Sequence, residues 1–269
     1  MRFKGRLENY KGNLQFIIEG IMAAEAGSFE VADFLPVTKN NIDRMWSRTV
    51  EILRGIKHPD LAALVSEFLA DEELMRRFRK APAATVMHHA YIGGLLEHTL
   101  NLLEVALRVM PFYPKLSLDL VLTGLFLHDI GKSKELSYET SFAYTDDGQL
   151  LGHIVQAAMW IDKKADAAAA RTGKPFPEQM RWVVQHIVLS HHGQYEFGSP
   201  KLPAVPEAVV VHYLDNLDAK THAFISEIEN DRDTAARWTN YNQALQSRVY
   251  KPDVCGVRKT PANDSTKSR

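Results

Sequence analysis

The sequence lacks the features of a secreted or membrane protein. Its 269 residues include one cysteine, Cys255, so an internal disulfide is excluded and no cluster of thiolates can bind a metal. No run of about 18 apolar residues is present, and the first residues have neither the apolar segment nor the small-residue cleavage site of a secretory signal. We therefore expect a cytoplasmic protein with no membrane segment.

The sequence also lacks an excess of charge of one sign. Its formal net charge of −1 gives no strong overall attraction to nucleic acid, so phosphate binding requires a local basic patch or a metal. The hydrophobic content of 45% is enough for a large core. Composition alone predicts one sizeable globular domain, or one domain plus a small appendage, and leaves the function open.

Two strand-like runs open the chain, RFKGRLENY and LQFIIEGI, and the KGN between them favours a tight hairpin turn. A lone hairpin is only marginally stable, so we expect residues 1–30 to pack on the main body, to pack on a partner chain, or to belong to a small β domain that is mostly missing here. Helical periodicity dominates residues 40–252, and residues 253–269 have the composition of a disordered tail. The longer predicted helices are Gly94–Met110, Leu118–Ile130, Gln149–Arg171, Pro177–Ser190 and Glu207–Glu229.

Each of these helices carries polar residues on its apolar face. Side chains three or four residues apart lie on the same face of a helix. His98 therefore shares a face with Leu95 and Leu102, and His153 shares one with Leu150 and Ala157. By the same argument, six polar residues on five helices are predicted to face inward. They are His98, His128, Asp129, His153, His191 and Asp215.

The set of inward polar residues predicts a metal site. A single histidine on an apolar face is often a core residue with one hydrogen bond. Several imidazoles and two carboxylates in one core are costly to bury unless a positive charge lies among them, and a divalent metal supplies it. Mixed His and Asp ligands suit Mn, Fe, Co, Ni or Zn better than calcium, and the absence of thiolates excludes the usual structural zinc.

Several motifs of the chain resemble those of a known superfamily. The segments GGLLEHTL, LFLHDIGKSKEL, LLGHI, HIVLSHHGQYEFGSPKLP, VHYLDNLDAK and VYKP are similar to the HD-domain metal-dependent phosphohydrolases and, within them, to the YhaM-type 3′–5′ exoribonucleases. The similarity covers roughly Ala81 to Pro252. It implies an all-α HD-domain helical bundle, here with a short N-terminal β-hairpin, and one or two divalent ions among Mn, Fe, Co, Ni, Mg and Zn.

Members of that family carry an N-terminal OB-type domain, and this chain departs from them there. Only the hairpin is present, and it resembles the last strands of such a five-stranded barrel. Either the true start lies further upstream, or this member has lost its barrel and keeps the hairpin for packing or oligomerisation. We therefore expect weak binding of RNA and treat a homo-oligomer as one of the open alternatives.

The resemblance assigns roles to the inward residues one by one. It implies that His98, His128, Asp129 and Asp215 bind a first metal and that Asp129 bridges to a second. The second metal would be held by His153 and by His191, His192 or both. Lys132, in HDIGK, would contact a non-bridging phosphate oxygen in the transition state, which makes Asp129 and Lys132 the catalytic pair.

The predicted substrate contacts lie outside this set. The segment RRFRK is the only dense basic cluster, with Phe78 available for stacking on a base. A Gly- and Pro-rich loop from Gly193 to Glu207 carries two aromatic residues beside the motif helices. Each candidate also has a structural alternative, such as a solvated helix face or a polar loop end. The predicted contacts are His88, His89, Arg76, Arg77, Arg79, Lys80, Tyr195 and Lys220.

Three functions are compatible with these features. The first is a divalent-metal-dependent phosphodiesterase that trims single-stranded RNA or an oligonucleotide from the 3′ end and releases nucleoside 5′-monophosphates. The second is an HD phosphohydrolase acting on a nucleotide or small phosphate ester, which needs no strand-binding surface. The third is a non-catalytic nucleic-acid-binding module with a structural metal, and the presence of every candidate ligand together with Lys132 argues against it.

Overall fold

The computed structural model describes residues 1–10, 13–25, 28, 35–85, 89–138 and 141–257. Its described part contains two small antiparallel sheets and nine α-helices. The predicted all-α bundle with an N-terminal β-hairpin is confirmed. The hairpin turn at Lys11 and Gly12, the candidate His88 and residues 258–269 of the predicted tail lie outside the described residues.

The hairpin pairs β1 (Arg2–Tyr10) with β2 (Asn13–Met22) in antiparallel register. The register shifts between Lys4 and Gly5, and a side chain at Gly5 would lie 2.0 Å from the Ile17 carbonyl oxygen. A glycine is therefore required at this irregularity. One face of the hairpin is apolar, and its large side chains are exposed. They are Phe3, Leu7, Leu14, Phe16, Ile18 and Ile21. The role of residues 1–30 as part of an OB-type domain stays a prediction.

The main body is helical from residue 42 onward. The helices, numbered in chain order, are α1 (Ile42–Arg54), α2 (Pro59–Leu69), α3 (Glu72–Phe78), α4 (Gly94–Val109), α5 (Leu118–Leu127), α6 (Lys132–Glu135), α7 (Asp146–Thr172), α8 (Glu178–Ser190) and α9 (Pro206–Asn230). A two-stranded sheet of β3 (Leu136–Ser137) and β4 (Ala143–Tyr144) lies between α6 and α7 and was not predicted from the sequence. None of the described helices is both long enough and apolar enough to cross a membrane.

Polar side chains fix where several helices begin. Asn41, Asp71, Ser117 and Thr145 each accept a hydrogen bond from a backbone N–H in the first turn of α1, α3, α5 and α7. Such caps satisfy donors that have no partner inside the helix, and each contributes about 1 kcal/mol. The caps set the phase of each helix and therefore which residues it turns toward the core.

Helix α5 lies at the centre of the bundle and packs against α4, α8 and α9. All of its residues from Leu120 to Leu127 are buried. Gly124 permits the close approach of two neighbours, because a side chain there would lie 2.6 Å from Ile187 and 3.1 Å from Val211. Close packing at Gly124 brings α8 and α9 to within reach of the residues that follow α5.

Three aromatic rings hold the other side of the core together. Phe126 makes edge contacts with Phe68 and Phe78, and the ring centroids are 6.3 and 5.7 Å apart. Phe78 is fully buried. The prediction that Phe78 stacks on a nucleic-acid base is therefore wrong, since the ring is part of the core.

Two predicted helix boundaries differ from the structure in ways that matter for function. Helix α5 ends at Leu127 and not at Ile130, so the pair His128 and Asp129 lies in the turn before α6. Helix α7 begins at Asp146 and is broken at Gly152, whose φ of 71° and ψ of 158° are not helical. Left-handed φ values favour glycine, so this break depends on Gly152.

Candidate metal centre

The residues predicted to face inward meet at the centre of the bundle. Helix α4 supplies His98, the turn after α5 supplies His128 and Asp129, and the end of α8 and the middle of α9 supply His191 and Asp215. The fifth contribution, His153, follows the break in α7. That break places Leu150 on the surface, where it is 83% exposed, so the face argument that grouped His153 with Leu150 is wrong although His153 does point inward.

A first cluster of ligand atoms lies between α4, α5 and α9. His98 Nε2 is 3.3 Å from His128 Nε2 and 3.2 Å from Asp215 Oδ1. Asp129 Oδ2 lies 3.4 Å from His128 Nε2 and 3.9 Å from His98 Nε2. Ligand atoms about 2.1 Å from one ion are about 3.0–3.5 Å apart, so most of these separations suit a shared cation.

A second cluster uses the other oxygen of the same aspartate. Asp129 Oδ1 lies 3.4 Å from His153 Nε2 and 3.5 Å from His191 Nε2. His192 is also within reach, because ligand atoms of His153, His191 and His192 lie within 4.8 Å of one another. Asp129 therefore faces both clusters, one with each carboxylate oxygen.

The second cluster needs a cation that the protein itself does not supply. Among the described residues, Asp129 Oδ1, His153 Nε2 and His191 Nε2 are buried and have no hydrogen-bond partner. Burial lowers the pKa of both histidines, which keeps them neutral. His191 Nδ1 donates to the Val188 carbonyl at 2.7 Å, so the lone pair of its Nε2 points at Asp129. Facing lone pairs repel each other, and a divalent ion between them removes that cost.

The first cluster can be satisfied in part by a proton. Burial alone would lower the pKa of His98, but hydrogen bonds to Asp215 and Asp218 raise it to about 9. His128 Nδ1 donates to the Leu125 carbonyl at 2.8 Å, which leaves the His128 Nε2 lone pair facing the cluster. The donor set, two imidazoles and two carboxylates without thiolates, is one that first-row divalent metals accept.

Two carboxylates outside the clusters orient the ligand histidines, and reasoning from the sequence missed both. His98 Nδ1 is 2.7 Å from Asp218 Oδ2. His153 Nδ1 is 3.0 Å from Glu135 Oε2, and the backbone N–H of His153 donates to the same carboxylate at 3.0 Å. A carboxylate on the far nitrogen fixes the tautomer and the ring orientation of a metal-binding histidine.

The glycine of the HDIGK motif, Gly131, lies close to α7. A side chain at Gly131 would lie 2.2 Å from the backbone oxygen of His153. The chain after Asp129 therefore runs directly against α7. This contact places the backbone of His153 beside the turn that carries Asp129.

Asp218 gives a prediction about metal affinity. Burial would raise its pKa, but hydrogen bonds from His89 and His98 hold the pKa of Asp218 well below its ordinary value, so it is an anion behind His98. We expect Asp218→Asn to lower the affinity for Mn²⁺ by about 10- to 100-fold, because outer carboxylates have effects of this size. Calorimetric titration of the metal-free protein measures it. The exposed Asp162→Asn is the matched control, and equal affinity in both variants would contradict the role of Asp218.

Lys132 and a small cavity lie at the mouth of the centre. Lys132 Nζ donates to Asp129 Oδ2 at 2.7 Å. The cavity has a volume of about 180 Å³ and is lined by Lys132, His192, Phe197, His212, Asp215, Asn216 and Ala219. His212 and Asn216 were not predicted. Their only signal in the sequence is their spacing around Asp215 on the same helix.

The remaining predicted substrate contacts do not gather at this cavity. His89 is 1% exposed and lies behind His98, where its Nε2 is 2.9 Å from Asp218, a position that does not fit contact with substrate. Arg76 and Arg77 bind Glu73 on the exposed side of α3, and Arg79 binds Asp43. Tyr195, Lys80 and Lys220 are exposed. Tyr195 lies on a 3₁₀ turn with Phe197, whose carbonyl accepts a hydrogen bond from His192 Nδ1.

Comparisons with known proteins show which family the chain belongs to. A family model described as HD domain matches residues 95–220, the stretch that runs from α4 to the middle of α9 and contains every ligand candidate. The chain is 38% identical over 255 residues to a protein of Geobacillus sp. (strain WCH70) named 3′-5′ exoribonuclease YhaM, which covers 94% of this chain and 76% of that protein. It is 36% identical over 253 residues to the protein of the same name from Bacillus pumilus (strain SAFR-032), covering 92% and 76%.

The chain therefore has an HD domain, and its described clusters of histidine and aspartate could hold divalent metal. The chain belongs to the YhaM family of HD-domain proteins. No solved structure matches it.

Proposed function

We propose that this chain is a divalent-metal-dependent 3′–5′ exoribonuclease that releases nucleoside 5′-monophosphates. The observation that carries the proposal is the group of three buried atoms without a partner in the described structure, Asp129 Oδ1, His153 Nε2 and His191 Nε2, beside the first cluster. Relatives named 3′-5′ exoribonuclease, which align with over nine-tenths of this chain, support the choice of substrate and of end.

The ligand residues divide between two ions. His98, His128 and Asp215 would hold the first ion, and His153 and His191 the second, with Asp129 offering one oxygen to each. His192 is an added ligand or a substrate contact at the cavity mouth, because its Nε2 is not needed for its bond to Phe197. Burial lowers the pKa of His192 to about 4, so it is neutral and able to play either part. We propose Mn, Fe, Co, Ni, Mg or Zn as the ion, since the donors are nitrogen and oxygen.

The residues around the cavity prepare the phosphodiester for attack. A bound divalent pair lowers the pKa of a water and draws charge from the phosphate oxygens. Burial alone would lower the pKa of Lys132, but the Asp129 carboxylate raises it above its ordinary value. Lys132 is therefore charged. Its ammonium group at the cavity wall can hold a non-bridging phosphate oxygen as charge builds there. His192 and His212 line the same wall and restrict where the terminal phosphate can sit.

The products follow from which bond breaks. Attack of water at the last phosphorus displaces the 3′ oxygen of the preceding nucleotide. The released unit keeps the phosphate on its 5′ carbon, and the shortened strand keeps a 3′-hydroxyl. Each cycle therefore restores the kind of end from which the next cycle starts.

The direction of hydrolysis can be tested with end-labelled RNA. A 5′-labelled single strand incubated with metal-loaded protein is expected to give a descending ladder, and a 3′-phosphate on the strand is expected to slow it. A 3′-hydroxyl strand of the same sequence is the matched control. Immediate release of the labelled 5′ nucleotide would contradict the direction, and hydrolysis of mononucleotides alone would favour the small-ester phosphohydrolase.

A further inference from the structure

A second cavity, on the other side of α6, combines positive charge with an aromatic ring. It has a volume of about 420 Å³ and lies between α3, α6 and α7. We call it the basic groove. Its lining includes four cations and one indole, which are Arg77, Lys134, Lys163, Lys164 and Trp160.

The charge of the basic groove favours a polyanion. Its four cations stand against two carboxylates, Asp71 and Glu73. The larger polar cavity of about 740 Å³ beside α9 has the opposite balance, with three glutamates and one lysine. The chain has a net charge of −1, so it does not attract a polyanion as a whole. A phosphate chain is therefore attracted by the local excess of positive charge in the groove and repelled by the acidic cavity.

Two of the four cations are available to a ligand. Lys163 is exposed and forms no ion pair within the described residues. Lys134 pairs with Asp147 at 2.6 Å, but both side chains are partly exposed, at 51% and 34%. Exposed pairs of this kind contribute about 0–1 kcal/mol, so a phosphate can replace Asp147 at small cost. Lys164 is less exposed and pairs with Asp71, and Arg77 forms an exposed pair with Glu73, which also binds Arg76.

Trp160 provides a surface for a base. It is partly buried, and it packs on the hydrophobic core while also lining the groove. Stacking on an aromatic ring binds bases of any sequence, which suits an enzyme that degrades a strand without choosing among nucleotides. Phe78, which the sequence also offers for stacking, is buried and cannot serve.

The groove is close to the metal centre along two elements. Trp160 follows His153 by seven residues on α7, which places it on nearly the same face and about 10 Å further along the axis. Lys132 and Lys134 both lie on α6, one lining the catalytic cavity and the other lining the groove. Lys134 is the exposed residue of α6. A strand leaving the centre over α6 therefore meets Lys134 and then the groove.

We propose that the basic groove binds the part of a single-stranded RNA that lies upstream of the nucleotide being removed, with its phosphates on Lys134 and Lys163 and a base on Trp160. This inference rests on the proposed function, since it assumes that RNA is the substrate. It gives the chain a strand-binding surface within the HD domain, separate from the N-terminal hairpin.

The test compares the double variant Lys134→Gln/Lys163→Gln with wild type in the full chain. The probe is a 5′-fluorescent oligo(A) decamer, and its affinity is measured by anisotropy at several salt concentrations with divalent metal chelated. We expect affinity to fall about tenfold and the slope of log K against log salt to become less steep by about 1.4, since each phosphate contact on a single strand contributes about 0.7. The control Lys115→Gln/Lys174→Gln removes two exposed lysines elsewhere.

Activity with strands of different length provides a second readout. We expect the KM of the double variant to rise about tenfold more for the decamer than for a dinucleotide, because a dinucleotide does not reach the groove. Trp160→Leu is expected to lose about tenfold in decamer affinity and Trp160→Phe to recover most of it, with circular dichroism confirming the fold. If the double variant matched wild type in affinity, salt slope and KM ratio, the proposal that the groove binds RNA would be wrong. Absence of RNA hydrolysis by wild type would contradict the proposed function instead.

Discussion

Replacing Asp129 by asparagine is expected to remove both the bound metal and at least about 10³-fold of the hydrolysis rate. Asp129 Oδ2 faces the first cluster and Oδ1 faces the second, so one carboxylate serves both proposed ions. An amide keeps the size of the side chain but offers one oxygen and an NH₂ group that cannot bind a cation. Both clusters are therefore damaged by one change.

Metal content and activity have to be measured together for this variant. Elemental analysis after loading with Mn²⁺ gives the number of ions, and release of nucleotides from oligo(A) gives the rate. Asp162→Asn is the matched control, because Asp162 is an exposed carboxylate paired with Arg181 at the surface. If Asp129→Asn retained the metal content and the rate of wild type, the centre would be elsewhere.

Helical periodicity was enough to find most of the residues that meet at the centre, although the face argument failed for His153, which follows the break in α7. The 3.6-residue repeat shows which residues share a face with leucine and valine, and a polar residue there must point inward. The prediction holds even where boundaries were wrong: α5 ends before His128, yet His128 and Asp129 are buried. Which atoms bind metal stays a prediction.

The outer carboxylates could not be found in this way. Asp218 is 120 residues from His98, and Glu135 is 18 residues from His153. Each contact depends on how two separate elements pack, and an acidic residue on a partly exposed helix face has no feature that distinguishes it from a surface residue. His89 was misassigned for the same reason, since its partner Asp218 lies on α9.

In the basic segment only the role of Phe78 was wrong, because the residues were considered as a run and not by helix face. The role of its cations in binding substrate stays a prediction. Met75 and Phe78 are three residues apart and both are buried, which is the pattern of the core side of α3. Arg76 and Arg77 then necessarily face away and bind Glu73, which lowers the pKa of Glu73 to about 2. The spacing was present in the sequence, but a seven-residue helix is too short for periodicity to be noticed easily.

Replacing Lys132 by glutamine is expected to lower kcat by about 10²–10³ while leaving the metal content close to that of wild type. Its ammonium nitrogen lies 2.7 Å from Asp129 Oδ2 and lines the cavity that leads to the centre. Removing one donor that stabilises charge in the transition state has an effect of this size. Lys132 is not among the ligand atoms of either cluster, so the ions can still bind.

The division between kcat and metal affinity distinguishes catalysis from structure. If Lys132 only neutralised Asp129, its loss would change the affinity for Mn²⁺ and the thermal stability, and saturating metal would restore kcat. If it holds the phosphate, kcat stays low at saturating Mn²⁺. Lys132→Arg keeps the charge and is expected to recover part of the rate, with the larger guanidinium group limiting the fit. Lys134→Gln is the comparison, because Lys134 lies on the same turn of α6 but outside the catalytic cavity. It is expected to weaken binding of long strands without lowering kcat. A loss of kcat equal to that of Lys132→Gln would show that any positive charge on α6 has this effect and that Lys132 has no specific role.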